Sequence, residues 1–148
     1  MNLVSSLNFT HTPREELEAL LNIALLQDLG EPLKAIFLYT YVEKISAEVI
    51  EVSGERKLRR LLCRMSSKRR VGRALAILRR EGALSEDEYR ELKRAFRALR
   101  CVRNSFLHRV CNEECPAISF SDIVNAVQLY TSRTREYISK MLISWSTV

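Results

Sequence analysis

The sequence predicts an all-α fold, an antiparallel bundle of four long helices plus a short helix. Three observations carry this. Apolar residues recur at three- and four-residue spacing through most of the chain, the period of a helix with one buried face. Only 4 Gly and 3 Pro occur in 148 residues, too few turn formers for a many-turned β fold. Apolar side chains make up 47% of the chain, which excludes a disordered protein. A chain of this length buries about two-thirds of its unfolded surface in one core, so neither a disulfide nor a metal is required. Residues 1–148 read as a single domain, with residues 1–11 and 147–148 as flexible ends.

The elements follow in chain order. Thr12, Pro13 and Glu15 open a first helix by cap, first-turn proline and capping box. Leu17, Leu20, Leu21, Ala24 and Leu25 form its buried face, and Gly30 ends it. Pro32 opens a second helix that runs to about Ser53. Its apolar positions, from Leu33 and Ile36 to Val49 and Val52, cover much of the circumference. Such a helix belongs at the centre of a bundle or against a second subunit, and a homodimer is expected. Gly54 breaks the chain. A short basic helix follows, with Leu58, Leu61, Leu62 and Met65 inward. Ser66-Ser67 marks a kink before Val71, Leu75 and Leu78, and Gly82 stops this run.

Ser85-Glu86-Asp87-Glu88 is a second capping box. It starts a long helix with Tyr89, Leu92, Phe96, Leu99, Val102 and Phe106 on its stripe. Val110 to Pro116 reads as a polar loop. Ser119 or Ser121 caps the last helix, where Ile123, Val127, Tyr130, Thr134, Tyr137, Met141 and Trp145 keep the period. No apolar stretch approaches the ~18 residues of a membrane helix. Met1 to Thr10 carry no basic residue and no long apolar run, unlike a signal peptide. A cytoplasmic protein without membrane partners is expected.

Net charge is +6, but its distribution is uneven. Residues 1–54 carry −5, residues 55–109 carry +12 and residues 110–148 carry −1. Most of the central cations are Arg, the better bidentate phosphate ligand. Arg59, Arg60, Arg64, Lys68, Arg69, Arg70 and Arg73 are the candidate RNA contacts, with Arg97 and Arg100 further on. A solvated face, or pairing with the acidic first third, is the plainer reading of the same block.

The four cysteines, Cys63, Cys101, Cys111 and Cys115, are expected as thiols in the absence of a secretory signal. Cys111 and Cys115 with His108 resemble half a metal site, but no second Cys/His pair follows, and no metal or cofactor is expected. A Cys111–Cys115 or intersubunit disulfide is the alternative for those two.

The chemistry-bearing run is Arg103-Asn104-Ser105-Phe106-Leu107-His108. The stripe of the long helix puts Arg103 at the edge of the core, where a guanidinium needs a partner. A phosphate could be that partner, or a carboxylate such as Glu43, Glu48 or Glu51. Asn104 and His108 share a helix face. Arg103 and His108 lie about 140° apart on an ideal helix, so they meet one phosphate only at a helix end, through a wrapped Arg, or across two subunits.

This run resembles the signature of the HEPN superfamily: Arg, four to six residues, then His, with a polar residue directly after the Arg. The specific match covers residues 81–109, and the bundle reading covers nearly the whole chain. The resemblance implies a homodimer with facing motifs and a metal-independent endoribonuclease, with Arg103, Asn104 and His108 as catalytic residues. The RNA 2′-OH is then the nucleophile, and the product end is a 2′,3′-cyclic phosphate. His108 would exchange the proton and Arg103 would stabilise the phosphorane. A toxin–antitoxin or antiviral role follows, with an antitoxin or nucleotidyltransferase as partner. One group of such toxins carries a Tyr two residues after the His, where its nucleotidyltransferase acts. This chain has Val110 there.

Two readings compete. A non-catalytic HEPN-like nucleotide- or RNA-binding module or scaffold would use the Arg block on an acidic partner. A helix-turn-helix DNA binder would use residues 71–94, but its recognition helix would begin with Glu86, Asp87 and Glu88, which repel phosphates.

Overall fold

The computed structural model describes residues 14–25, 28–107 and 115–146. The two ends expected to be flexible, together with His11, His108 and Cys111, lie outside them. Six helices and no strand occur among the described residues, five of them longer than ten residues and one short, where four long and one short are expected from the sequence. They are α1 (Arg14–Ala24), α2 (Glu31–Val52), α3 (Arg56–Leu61), α4 (Ser67–Arg80), α5 (Glu86–Leu107) and α6 (Phe120–Ser146). A 3₁₀ turn, Leu62–Arg64, follows α3.

Helix α2 is the axis of the bundle. It touches α1, α4, α5 and α6. Its buried residues, among them Leu38, Val42, Ile45, Val49 and Ile50, point in several directions from one helix. Most of the wide apolar arc is therefore covered within the chain, chiefly by α1, α4, α5 and α6, while Leu33 at its start stays exposed. Of the two positions open to such a helix, α2 takes the centre of the bundle.

Helix α2 buries three hydroxyl-bearing side chains, Tyr39, Tyr41 and Ser46, and α6 supplies partners for the last two. Ser46 Oγ donates to the Val42 carbonyl at 2.6 Å and shares a 2.6 Å hydrogen bond with the Tyr130 hydroxyl. Tyr41 Oη and Thr131 Oγ1 stand 2.9 Å apart, while Thr131 also donates to Val127 O at 2.8 Å. These bonds fix the register of α6 on α2. The Phe96 ring meets Tyr130 edge to face, with centroids 4.9 Å apart, and brings α5 into the same layer.

The connections follow local chemistry. Gly54 and Gly82 both take positive φ, +78° and +76°, and break the chain after α2 and α4. At Gly82 the Ala83 N–H returns to the Leu78 carbonyl at 2.8 Å, closing the end of α4. The capping box at Ser85 forms in both directions. Ser85 Oγ accepts from Glu88 N at 3.1 Å, and Glu88 Oε1 accepts from Ser85 N at 3.0 Å. That bond, joined by Arg133 at 2.9 Å from Glu88 Oε2, holds the Glu88 carboxyl below the usual carboxylate range.

Three boundaries differ from the sequence reading. The Ser66-Ser67 kink is a cap: Ser66 Oγ accepts from Arg69 N at 3.3 Å, so α4 starts four residues earlier than Val71. Ser119, not Ser121, caps α6 through Asp122 N at 3.1 Å. Helix α1 ends at Ala24, short of Gly30, which instead stands at the N-cap of α2.

The buried Ser46–Tyr130 pair makes an asymmetric prediction. Ser46→Ala leaves the Tyr130 hydroxyl buried without a partner and should cost about 1–3 kcal/mol. Tyr130→Phe leaves Ser46 bonded to Val42 and should cost about 0.5–1.5 kcal/mol, as read from urea midpoints. Burial also pushes Tyr39 up to about 12 and raises Tyr41 and Tyr130 from their ordinary value. The unfolded chain releases these protons near pH 10, while the folded chain keeps them. Stability should therefore be full below about pH 10 and fall as pH rises toward 12, as urea midpoints across that range will show.

Candidate nucleic-acid interface

Helices α4 and α5 diverge over α2 and leave a cleft of about 380 Å³. Val71 and Leu75 from α4, Phe96 from α5 and Tyr39 from α2 form its apolar part. Cations surround it: Lys68 from α4, and Lys93, Arg97 and Arg100 from α5. The α5 trio sits at i, i+4 and i+7, hence on one helix face. No carboxylate is among the described residues that line the cleft. Four cations with no opposing carboxylate create a local positive potential suited to a phosphate.

Of the residues singled out in the sequence, Lys68, Arg97 and Arg100 come together here. Arg59, Arg60, Arg64, Arg69 and Arg73 are exposed but do not line the cleft. Arg70 turns inward instead. Its Nη2 donates to the Leu62 carbonyl at 3.0 Å, tying the 3₁₀ turn to α4, and its buried Nε has no partner. Sequence reading did not mark Lys93, Tyr39 or Gly72. The spacing of Lys93 to Arg97 and Arg100 was a usable signal. Nothing in the sequence placed α4 opposite them.

Arg103 lies one turn beyond Arg100 and behind Tyr39. Its guanidinium carbon sits 4.2 Å from the centroid of the Tyr39 ring. Arg103 Nε and Nη2 donate to Asn104 Oδ1 at 3.2 and 2.9 Å. Arg103 Nη1 stands 4.0 Å from Glu43 Oε2, with both side chains less than a fifth exposed. The carboxylate partner is thus Glu43, among the three considered, and the ring face adds cation–π attraction. Burial dominates the rise in the Tyr39 pKa, Arg103 opposes it and Glu43 adds to it. Tyr39 therefore joins two features: it lines the cleft and carries the Arg of the motif. His108 lies outside the described residues, one position past the end of α5.

The cysteines correct the expectation of free thiols. Cys101 of α5 and Cys115 form a disulfide across 14 positions, with Cα atoms 5.4 Å apart. Cys101 faces inward from α5 at the end of the cleft, where the chain returns after residues 108–114 and lays Pro116 against the cleft wall. Cys115 is then not available to Cys111, nor to a metal as a thiolate. Cys63 is free and exposed. Among the described residues no group of three or more His, Cys, Asp or Glu side chains could hold a metal ion. No helix among them is long and apolar enough to cross a membrane.

No protein-family model matches this chain, and comparison with curated proteins and with solved structures finds no match either.

Reduction of Cys101–Cys115 should lower stability by about 3 kcal/mol, the chain-entropy value for a loop of about 15 residues. Urea unfolding with and without dithiothreitol measures it. A Cys101→Ser, Cys115→Ser protein should match the reduced wild type and should not respond to the reductant.

Proposed function

We propose that the chain binds RNA through the phosphates of its backbone along the α4–α5 cleft and cleaves it without a metal ion at the Arg103–His108 motif. The observation that carries this is the gathering of Lys68, Lys93, Arg97 and Arg100 around one cleft without a lining carboxylate. Arg103 follows on the same helix, behind the Tyr39 wall. The exposed Arg59, Arg60 and Arg64 around α3, with Arg69 and Arg73 on α4, extend the positive surface available to a long polyanion.

The chemistry matches these residue types. The RNA 2′-oxygen attacks phosphorus as His108 takes the 2′-OH proton. The bond to the 5′-oxygen breaks, and that oxygen gains a proton from an imidazolium or from water. A 2′,3′-cyclic phosphate and a 5′-OH result. Arg103 supplies positive charge to the phosphorane, and Asn104, which accepts two bonds from Arg103, keeps the guanidinium in place. A homodimer would provide two such motifs, in keeping with the resemblance to HEPN ribonucleases. A toxin or antiviral role with a cognate antitoxin is the biological setting this reading implies.

A second reading has its own support. Arg103 is already engaged by Glu43, Asn104 and the Tyr39 ring, as in a residue that holds helices together. A non-catalytic RNA- or nucleotide-binding module would keep the cleft and lose the cleavage. The helix-turn-helix alternative has less. Glu86 at the start of α5 pairs with Arg79 at 2.8 Å and Glu88 with Arg133 at 2.9 Å, so acidic side chains occupy the turn that would approach DNA.

Incubating the protein with mixed RNAs in EDTA, followed by end-group analysis, tests the proposal. Wild type should leave cyclic phosphate ends. His108→Ala should slow cleavage by about 10²–10⁴-fold with unchanged helical circular dichroism and retained RNA binding. Binding should weaken with salt by about 0.7 log units per log unit for each phosphate neutralised. RNA binding without cleavage by wild type would establish the second reading. A flat salt dependence would remove both.

A further inference from the structure

Gly72 has no explanation in the fold. It lies inside α4, four residues after Lys68, in a helix whose other residues are ordinary helix formers. Glycine is the poorest helix former after proline. Its φ is not positive, so no turn requires it. A Cβ built there meets nothing within 4 Å, so no close packing requires it either. What it does face is the cleft, whose wall it forms between Lys68 and Leu75.

We propose that the α4–α5 cleft is a subsite for one unstacked nucleotide, and that Gly72 keeps it open. This rests on the RNA reading above and adds the strand class: the site takes single-stranded RNA and rejects a duplex. The volume, about 380 Å³, falls within the ~300–1,000 Å³ of pockets that enclose small ligands. The walls are divided as a nucleotide is. Arg97 and Arg100, one turn apart on α5, offer paired donors to a phosphate, with Lys68 opposite them on α4. Val71, Leu75, Phe96 and Tyr39, each no more than 5% exposed, form a narrow apolar floor that the edge of a base can meet. A base within a duplex is stacked and paired and cannot enter such a cleft, whereas a single strand can turn one out. Gly72 is exposed and shares a helix face with Lys68 and Leu75, so a larger side chain there would stand over the cleft.

The test uses the full-length chain and a short RNA with every 2′-OH methylated, which cannot be cleaved. Its fluorescence anisotropy is followed as a single strand and as a duplex, with adenosine 5′-monophosphate as competitor. Wild type should favour the single strand. Gly72→Leu should lose about tenfold in single-strand affinity, the scale of one base contact, and leave duplex binding unchanged. Gly72→Ala, with a smaller intrusion, should lose less and should melt at a higher temperature, because alanine favours the helix. It keeps the test valid should the leucine variant fail to fold: an unaltered preference for single strands in both the alanine variant and Gly72→Ser would overturn the subsite. A folded Gly72→Leu protein that binds single strands like wild type would also overturn it, and would leave the RNA reading standing. Wild type that binds no RNA of either form would overturn the RNA reading and the strand subsite with it. In that case, mononucleotide binding lost in Gly72→Leu would assign the cleft to a free nucleotide.

Discussion

The structure depends on burying most of the circumference of one helix. α2 gives water only a narrow, part-exposed strip through Thr40, Lys44, Glu48 and Glu51, so α1, α4, α5 and α6 are arranged around the rest of it. The hydrophobic driving force is non-directional and does not by itself say how those helices are registered. The register comes from the few polar groups that α2 buries. Tyr41 and Ser46 must find partners in an apolar setting, and Thr131 and Tyr130 of α6 stand where those partners are needed. An unpaired hydroxyl there would cost more than the bond contributes, so the pairs select against sliding of α6 along α2.

The same arrangement accounts for the cleft. α4 and α5 are joined by a short turn at Gly82, and both pack on α2. Their outer faces carry the cations that cannot be buried. Where the two helices part, Tyr39 of α2 lies between them. Its ring meets the cleft and also carries Arg103. A shift of α5 on α2 would therefore change the cleft and the motif together. The Cys101–Cys115 disulfide stands at this point as well and ties the returning chain to α5. Cleft, Arg103 and disulfide thus all lie along α5 from Lys93 onward.

Arg103 shows what a largely buried guanidinium requires. A guanidinium less than a fifth exposed needs compensation. Glu43 supplies charge at 4.0 Å, Asn104 supplies two acceptor contacts and Tyr39 supplies a ring face. None of these is a close bidentate ion pair. The group is held in place while its charge is only partly neutralised, a state compatible with attraction for a phosphate.

The sequence by itself determined the helices and much of their punctuation. The apolar period is a local property, and so are the signals at Gly54, Gly82 and the Ser85–Glu88 box, each of which acts within one turn of chain. It also placed Arg103 at the edge of the core, because helical spacing alone sets that position. It did not separate a kink from a cap at Ser66, since a serine gives the same local signal for both. Nor could it say what covers the apolar circumference of α2, because four neighbours in one chain and a second subunit demand the same residues. The tertiary structure decided that, together with the pairing of Cys101 with Cys115, the inward turn of Arg70, and the meeting of Lys68 with Lys93, Arg97 and Arg100. Each of these joins positions from different helices or across a loop. Such contacts are fixed by packing over distances that no periodicity encodes.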